Sequence, residues 1–198
     1  MDGRAERGET TYRHLLDTAT RLFAERGYDH TPIELVVTEA GVSRGALYHH
    51  FPTKVALFDA CLDTVQARVA VAVRDAARAA VTPLGALRAG CAAWLDLARD
   101  PVVRRIVLID APGVVGWRRW REIDLAHSLG AVRVSLRRLA GEGRLQAPLL
   151  DVHAHLLLAA MTELALLIAE ADDPDAEARR ADSVLSQLLE GLFSAGQR

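Results

Sequence analysis

The sequence predicts an all-α protein: a three-helix unit over residues 1–54, then a larger helical region over residues 55–198, about nine helices in all. Three observations lead there. Apolar residues recur at three- and four-residue spacing, as in Leu15, Ala19, Leu22 and Phe23. No stretch sustains the period-two alternation of a strand, and no Asn-Gly or Asp-Gly pair joins two alternating runs. Proline, glycine and capping residues cut the chain at intervals that suit helices.

Composition narrows the class. At 198 residues, 51% apolar and 25% charged, the chain is long enough to bury a core and is not a disordered protein. A net charge of -2 leaves any phosphate binding to a local patch. Cys61 and Cys91 lie far apart, with neither metal spacing nor a disulfide framework, and read as small buried hydrophobes in a reducing compartment. The longest unbroken apolar run, Leu156 to Met161, is far short of a membrane span, and the polar Met1–Glu9 segment has no signal-peptide core. The expectation is a soluble, cytoplasmic protein without a membrane partner.

The elements follow in order. A first helix from about Thr11 ends at Arg26, where Gly27 stops it. Thr31-Pro32-Ile33-Glu34 reads as a capping box with a proline at the first helical position, opening a short helix to Glu39. Gly41-Val42-Ser43 is a tight turn, and Ser43 caps a second short helix, Arg44 to His50. Thr53 caps a long helix from Lys54 to Ala80, on the order of 40 Å at 1.5 Å per residue. Helices at Pro83–Arg99 and Pro101–Asp110 precede a break at Ala111-Pro112-Gly113. A long helix from Gly116 to Ala140, a loop at Gly141–Pro148, and helices at Asp151–Ala171 and Asp175–Ser194 complete the chain. Charge is uneven: residues 101–145 carry nine Arg against four acidic residues, and 151–198 carry nine acidic residues against three Arg. Solvated helix faces account for such runs.

Thr31 to Lys54 carries the strongest functional signal. Two short helices joined by a glycine-centred turn are the signature of a helix-turn-helix, whose second helix enters the major groove N-terminus first. Ser43, Arg44 and Gly45 lie at that N-terminus, where free N–H groups and the helix dipole favour phosphate. Arg44 has the reach and fork geometry for guanine O6 and N7. Leu47 and Phe51, four apart, face the core, while Tyr48, His49 and Lys54 point elsewhere. From Ala40 to Lys54 there is no acidic residue. Neither His49-His50 nor His153 and His155 makes a metal pair, since neighbours on a helix diverge by about 100° each. No metal and no cofactor is expected.

At these positions the chain resembles the TetR family of bacterial transcriptional regulators. The resemblance rests on Leu22-Phe23, Gly27-Tyr28, Ala40-Gly41-Val42-Ser43, Gly45-Ala46-Leu47-Tyr48, His50-Phe51, Lys54 and Leu57, and spans about residues 12–60. It implies a homodimer with an N-terminal DNA-binding domain and a C-terminal domain for a small ligand. It implies that Thr31 lies near phosphate and that Ser43 caps the recognition helix. Arg44 and Gly45 then meet base edges, Tyr48 a phosphate or base, His49 and His50 the backbone, and Lys54 a phosphate. Two departures stand out: Val36-Val37 where the family has an Ile-Ala pair, and Glu34 where a basic residue is common.

The resemblance also pairs the last two helices of each subunit across a twofold axis. Here the first of them is apolar on nearly every face, more than one core buries. Leu157, Met161, Leu164, Ile168, Leu185, Leu188 and Leu192 are the expected interface. Trp94, Asp110, Trp117, Trp120 and His127, on the middle helices, are the expected lining of an effector pocket. The functional expectation is a regulator, not an enzyme: a repressor that binds a palindromic DNA operator and is released by a small molecule. The alternatives are a ligand-free or architectural DNA binder and, more remotely, a helical-bundle enzyme. The chain has no Gly-x-Ser-x-Gly elbow, His-Glu-x-x-His or phosphate loop.

Overall fold

The structure, a computed structural model, describes residues 2–193, and among these every regular element is helical. The helices are α1 (Asp2–Arg26), α2 (Ile33–Glu39), α3 (Arg44–His50), α4 (Lys54–Arg78) and α5 (Pro83–Leu97). Next come α6, a wide-wound stretch (Val103–Asp110) running into an α turn (Ala111–Val114), and α7 (Trp117–Gly141). A 3-10 turn (Ala147–Leu149) leads into α8 (Leu150–Glu170), and α9 is Pro174–Phe193. The expected end of the last helix at Ser194 lies outside the described residues.

The residues form two compact units. The first holds residues up to Val65 together with Pro101–Trp120; the second holds Gln66–Asp100 and the chain from Arg121 onward. In the first unit the expected face of α1 is the core: Leu15, Ala19 and Phe23 are fully buried with Leu47, Leu57, Phe58 and Ile106. Phe23, Tyr28 and Phe58 form a ring cluster with centroids 5.2–5.8 Å apart. Gly27 ends α1 at φ 79°, and a Cβ there would run into the Arg105 guanidinium. Gly41, at φ 62°, makes the turn between α2 and α3, a conformation costly to any residue with a Cβ.

Three expectations are corrected. The Thr31–Glu34 capping box does not form: Pro32 occupies the cap of α2 with no side-chain bond. The Thr31 hydroxyl instead donates to the carbonyls of Gly27 (2.8 Å) and Leu22 (3.3 Å). The break expected at Ala111-Pro112-Gly113 falls at Gly116 (φ 82°) instead. Helix continues through Pro112 because the turns before it are wide: the Ala111 N–H reaches back to the Ile106 carbonyl, five residues away. This winding puts Arg105 and Asp110 on one face, where an α-helix would set them about 140° apart. Lastly, Ala147–Glu170 is long and apolar enough to cross a membrane by length and composition, with mean hydropathy 1.8. Glu163 only punctuates it, so no single unbroken run showed this. In the second unit that apolar surface packs against α5 and α9.

The second unit's core is Leu87, Leu95, Leu136, Leu139, Leu157, Ile168, Leu185 and Phe193. Its helices start as their sequences dictate. Thr82 accepts from the Gly85 N–H at 3.1 Å before Pro83, and Asp173 accepts from the Ala176 N–H at 2.9 Å before α9.

Candidate nucleic-acid interface and effector cavity

The α2–turn–α3 segment leaves one side of α3 exposed and holds it by a few local contacts. Ser43 accepts from the Ala46 N–H at 3.1 Å, fixing the start of α3 as its sequence predicts. Leu47 and Phe51 are buried, which anchors the inner side of α3; Phe51 stacks on Tyr12 at 5.1 Å. The other side is open. Ser43, Arg44, Gly45, Tyr48 and His49 are exposed, and His50 is half-buried, edge-on to Tyr12.

Arg44 is held from two sides. Its guanidinium meets Glu34 at 2.9 Å and lies 5.5 Å from the Tyr48 ring centre. Hydrogen bonding to Tyr48, and then the nearby charge of Glu34, raise its pKa above the ordinary arginine value. Glu34 thus serves as a partner for Arg44 on α3 rather than as a cap of its own helix. Lys54, at the start of α4, rests its ammonium 4.0 Å from the Tyr28 ring centre. Burial lowers its pKa, against the opposing charge of Asp29. Thr53 accepts from the Ala56 N–H at 3.0 Å, which fixes the start of α4 at Lys54. Thr31 does not join this surface: it is fully buried, and its hydroxyl is spent on the Gly27 and Leu22 carbonyls, which corrects its expected place near phosphate.

Within the second unit a cavity of about 330 Å³ opens among α4, α5, α7 and α8. Val69, Val73, Leu87, Leu158 and Met161 give it an apolar wall. Of the residues expected to line it, Trp94 and His127 do; the Trp94 indole N–H donates to the Met161 carbonyl at 3.1 Å, leaving only its ring face to a ligand. Asp110, Trp117 and Trp120 lie in the other unit. The Asp110 carboxylate accepts from the Tyr28 backbone N–H at 2.7 Å and meets Arg105 at 3.1 Å. Trp120 is buried and donates to the Val107 carbonyl at 2.8 Å, while Trp117 is exposed.

Asp124 is one of several lining residues that the sequence reading missed, with Arg74, Arg78 and Arg138 among the others. It is buried, accepts from Arg121 at 2.6 Å and from Ser128 at 3.4 Å, and burial raises its pKa despite both partners. The available signal was its place one turn before His127 and Ser128 on the same helix face. Cys91 also lines the cavity; burial pushes its thiol up to about 12, so it stays a neutral, apolar wall group.

Comparison with known proteins places this architecture. Residues 15–61 match the family described as bacterial regulatory proteins, tetR family, and residues 84–192 match the tetracyclin repressor-like C-terminal domain. The chain belongs to the TetR family. It is therefore a DNA-binding transcriptional regulator of a non-enzymatic family. The Transposon Tn10 TetC protein of Escherichia coli is 30% identical over 156 residues, covering 77% of each chain. A TetR-family transcriptional regulator from Pectobacterium atrosepticum is 31% identical, with a TM-score of 0.85 over 96% of this chain and 97% of that one. An HTH-type transcriptional repressor of Mycobacterium tuberculosis is 44% identical over 64 residues, 32% of this chain and 34% of its own.

In this TetR-family chain the residues expected at a subunit interface divide unevenly. Leu157, Met161, Ile168 and Leu185 are buried within the second unit itself, and Leu164, Leu188 and Leu192 are half-buried. The apolar side chains left outside are Val152, Leu156 and Leu167 on α8 and Val184 on α9. Because α8 is apolar on nearly every face, its sequence gives little sign of which side its own subunit covers.

Proposed function

We propose that the protein is a homodimeric, ligand-responsive repressor that binds a palindromic operator in the cytoplasm and releases it when a small molecule fills the cavity. Residues 1–54 read the DNA, and residues 55–198 sense and dimerise. The observation that carries this reading is the cavity: a largely apolar space with a buried carboxylate in its wall is a poor use of a core unless something fills it. A ligand-free architectural protein gains nothing from it. Arg44 reads a base edge, while Tyr48, His49, His50 and Lys54 position the backbone. Gly45 lets the helix approach the groove closely, and Ser43 holds its first turn. The outer stripe of α8, with Val184 of α9, fits a twofold interface, since exposed apolar rows of this length are unusual on a monomer. The effector acts by preferring a state whose recognition helices no longer match successive half-sites about 34–36 Å apart, and by linkage DNA weakens the effector equally.

The test is fluorescence anisotropy with DNA fragments flanking the protein's own gene, across a salt series. Tight binding to one palindromic fragment, falling steeply with salt, is the expected result. Equal, weak binding to every fragment and to sequences selected from random DNA would remove the reading.

A further inference from the structure

The charge balance of the cavity wall says what class of molecule it takes; this rests on the ligand-responsive reading above. Its ionisable lining is Arg74 and Arg78 from α4, Arg138, Asp124 and His127 from α7. The single carboxylate is already engaged by Arg121 and Ser128, so it does not neutralise the arginines. Arg78 has Asp75 at 3.4 Å. Among the described residues no carboxylate meets Arg74 or Arg138, and both are exposed, at the rim rather than in the wall. A place in the last helical turn, where the dipole favours a cation, accounts for Arg78 and Arg138, but Arg74 sits a full turn earlier. Three hydroxyls also line it, and each already donates within the wall: Ser128 to Asp124, Ser135 to the Ala131 carbonyl and Thr162 to the Leu158 carbonyl. The remaining lining is apolar, with the Trp94 N–H spent on Met161 and the Cys91 thiol buried.

We propose that the effector is a small organic acid, its apolar body against Val73, Leu87, Trp94 and Met161 and its carboxylate on Arg74 and Arg138. Arginine is suited to this role, since its planar fork meets a carboxylate through two parallel N–H donors. A cationic amphiphile is disfavoured, because the one anion that would receive it is buried and partnered.

Two matched probe series test this on the full-length protein: 2-naphthoate, 2-naphthylmethanol and 2-naphthylmethylammonium, and octanoate, octanol and octylammonium. Binding is read by quenching of tryptophan fluorescence and by thermal shift. The expected result is that the carboxylate of at least one series binds about tenfold or more tighter than its alcohol and ammonium partners. Replacing both rim arginines (Arg74→Ala with Arg138→Ala) then removes that preference, while binding of the alcohol and the melting temperature are unchanged. Tighter binding of an alcohol or ammonium, or a carboxylate preference that survives in the double variant, overturns the acid assignment and leaves the ligand-responsive reading standing. If no probe of either series binds at millimolar concentration, the acid assignment falls and the ligand-responsive reading loses its support with it.

Discussion

The recognition helix and the cavity wall both depend on an arginine–carboxylate pair, and they use it in opposite ways. Arg44 and Glu34 meet at 2.9 Å with side chains 63% and 62% exposed. Arg121 and Asp124 meet at 2.6 Å with side chains 23% and 12% exposed. Water screens the first pair, so it adds little to stability, and its worth lies in where it aims the guanidinium. The second pair holds a carboxylate out of water, where removing Arg121 takes away its hydrogen-bonded cation and leaves the Ser128 hydroxyl alone as a donor. One arrangement keeps a cation at the surface, where the proposed reading puts DNA; the other stiffens the wall of a cavity.

The largest expected effect breaks the buried pair. Arg121→Ala should lower the unfolding free energy by about 3 kcal/mol in urea titration. Arg44→Ala should leave the same unfolding midpoint unmoved. A comparable loss in both variants would erase the distinction between the two pairs.

Next in size is DNA affinity. Arg44→Ala should weaken operator binding by about 5- to 150-fold and relax the preference at one base position in each half-site. Lys54→Ala should weaken every sequence alike and reduce the slope of log affinity against log salt by about 1, as seen in anisotropy titrations. If both variants gave the same uniform loss, the division between base reading and backbone gripping would be wrong.

The smallest effect is on pH dependence. Burial raises the Asp124 pKa in the folded state above its ordinary 3.8, so between those two values the native protein holds a proton that the unfolded chain has released. That contribution makes the fold less stable as pH rises through the window. Asp124→Asn removes it. The variant's melting temperature should therefore gain on the parent's as pH rises above about 4. A difference that shrinks over that range would contradict the assignment.

The two regions also differed in how far the sequence disclosed them. The proposed DNA-reading surface is built from neighbours in the chain: Ser43 caps its own helix, Thr53 the next, and Leu47 and Phe51 anchor by four-residue spacing. Its all-helical frame and its cationic residues were legible for that reason. Thr31 misled because a Thr-x-x-Glu spacing promises a cap whether or not the hydroxyl has a better acceptor, and here the end of α1 supplied one. The cavity draws on four helices between residues 69 and 162, so no window of sequence holds it. Trp94 and His127 were found by residue type alone. Asp110 and Trp120 had the same credentials, yet the wide winding of α6 and the packing of Val107 engage them elsewhere. The outer stripe of α8 was hidden by apolar residues on nearly every face, which leave the helix little phase.

The most direct test of the account is selection of binding sites from random duplex DNA by the intact protein and by Arg44→Ala. The account predicts an enriched palindrome for the parent and the same palindrome, degenerate at one symmetric pair of positions, for the variant. No enriched sequence with the parent protein, or an identical motif from both, would contradict the claim that α3 reads DNA through Arg44.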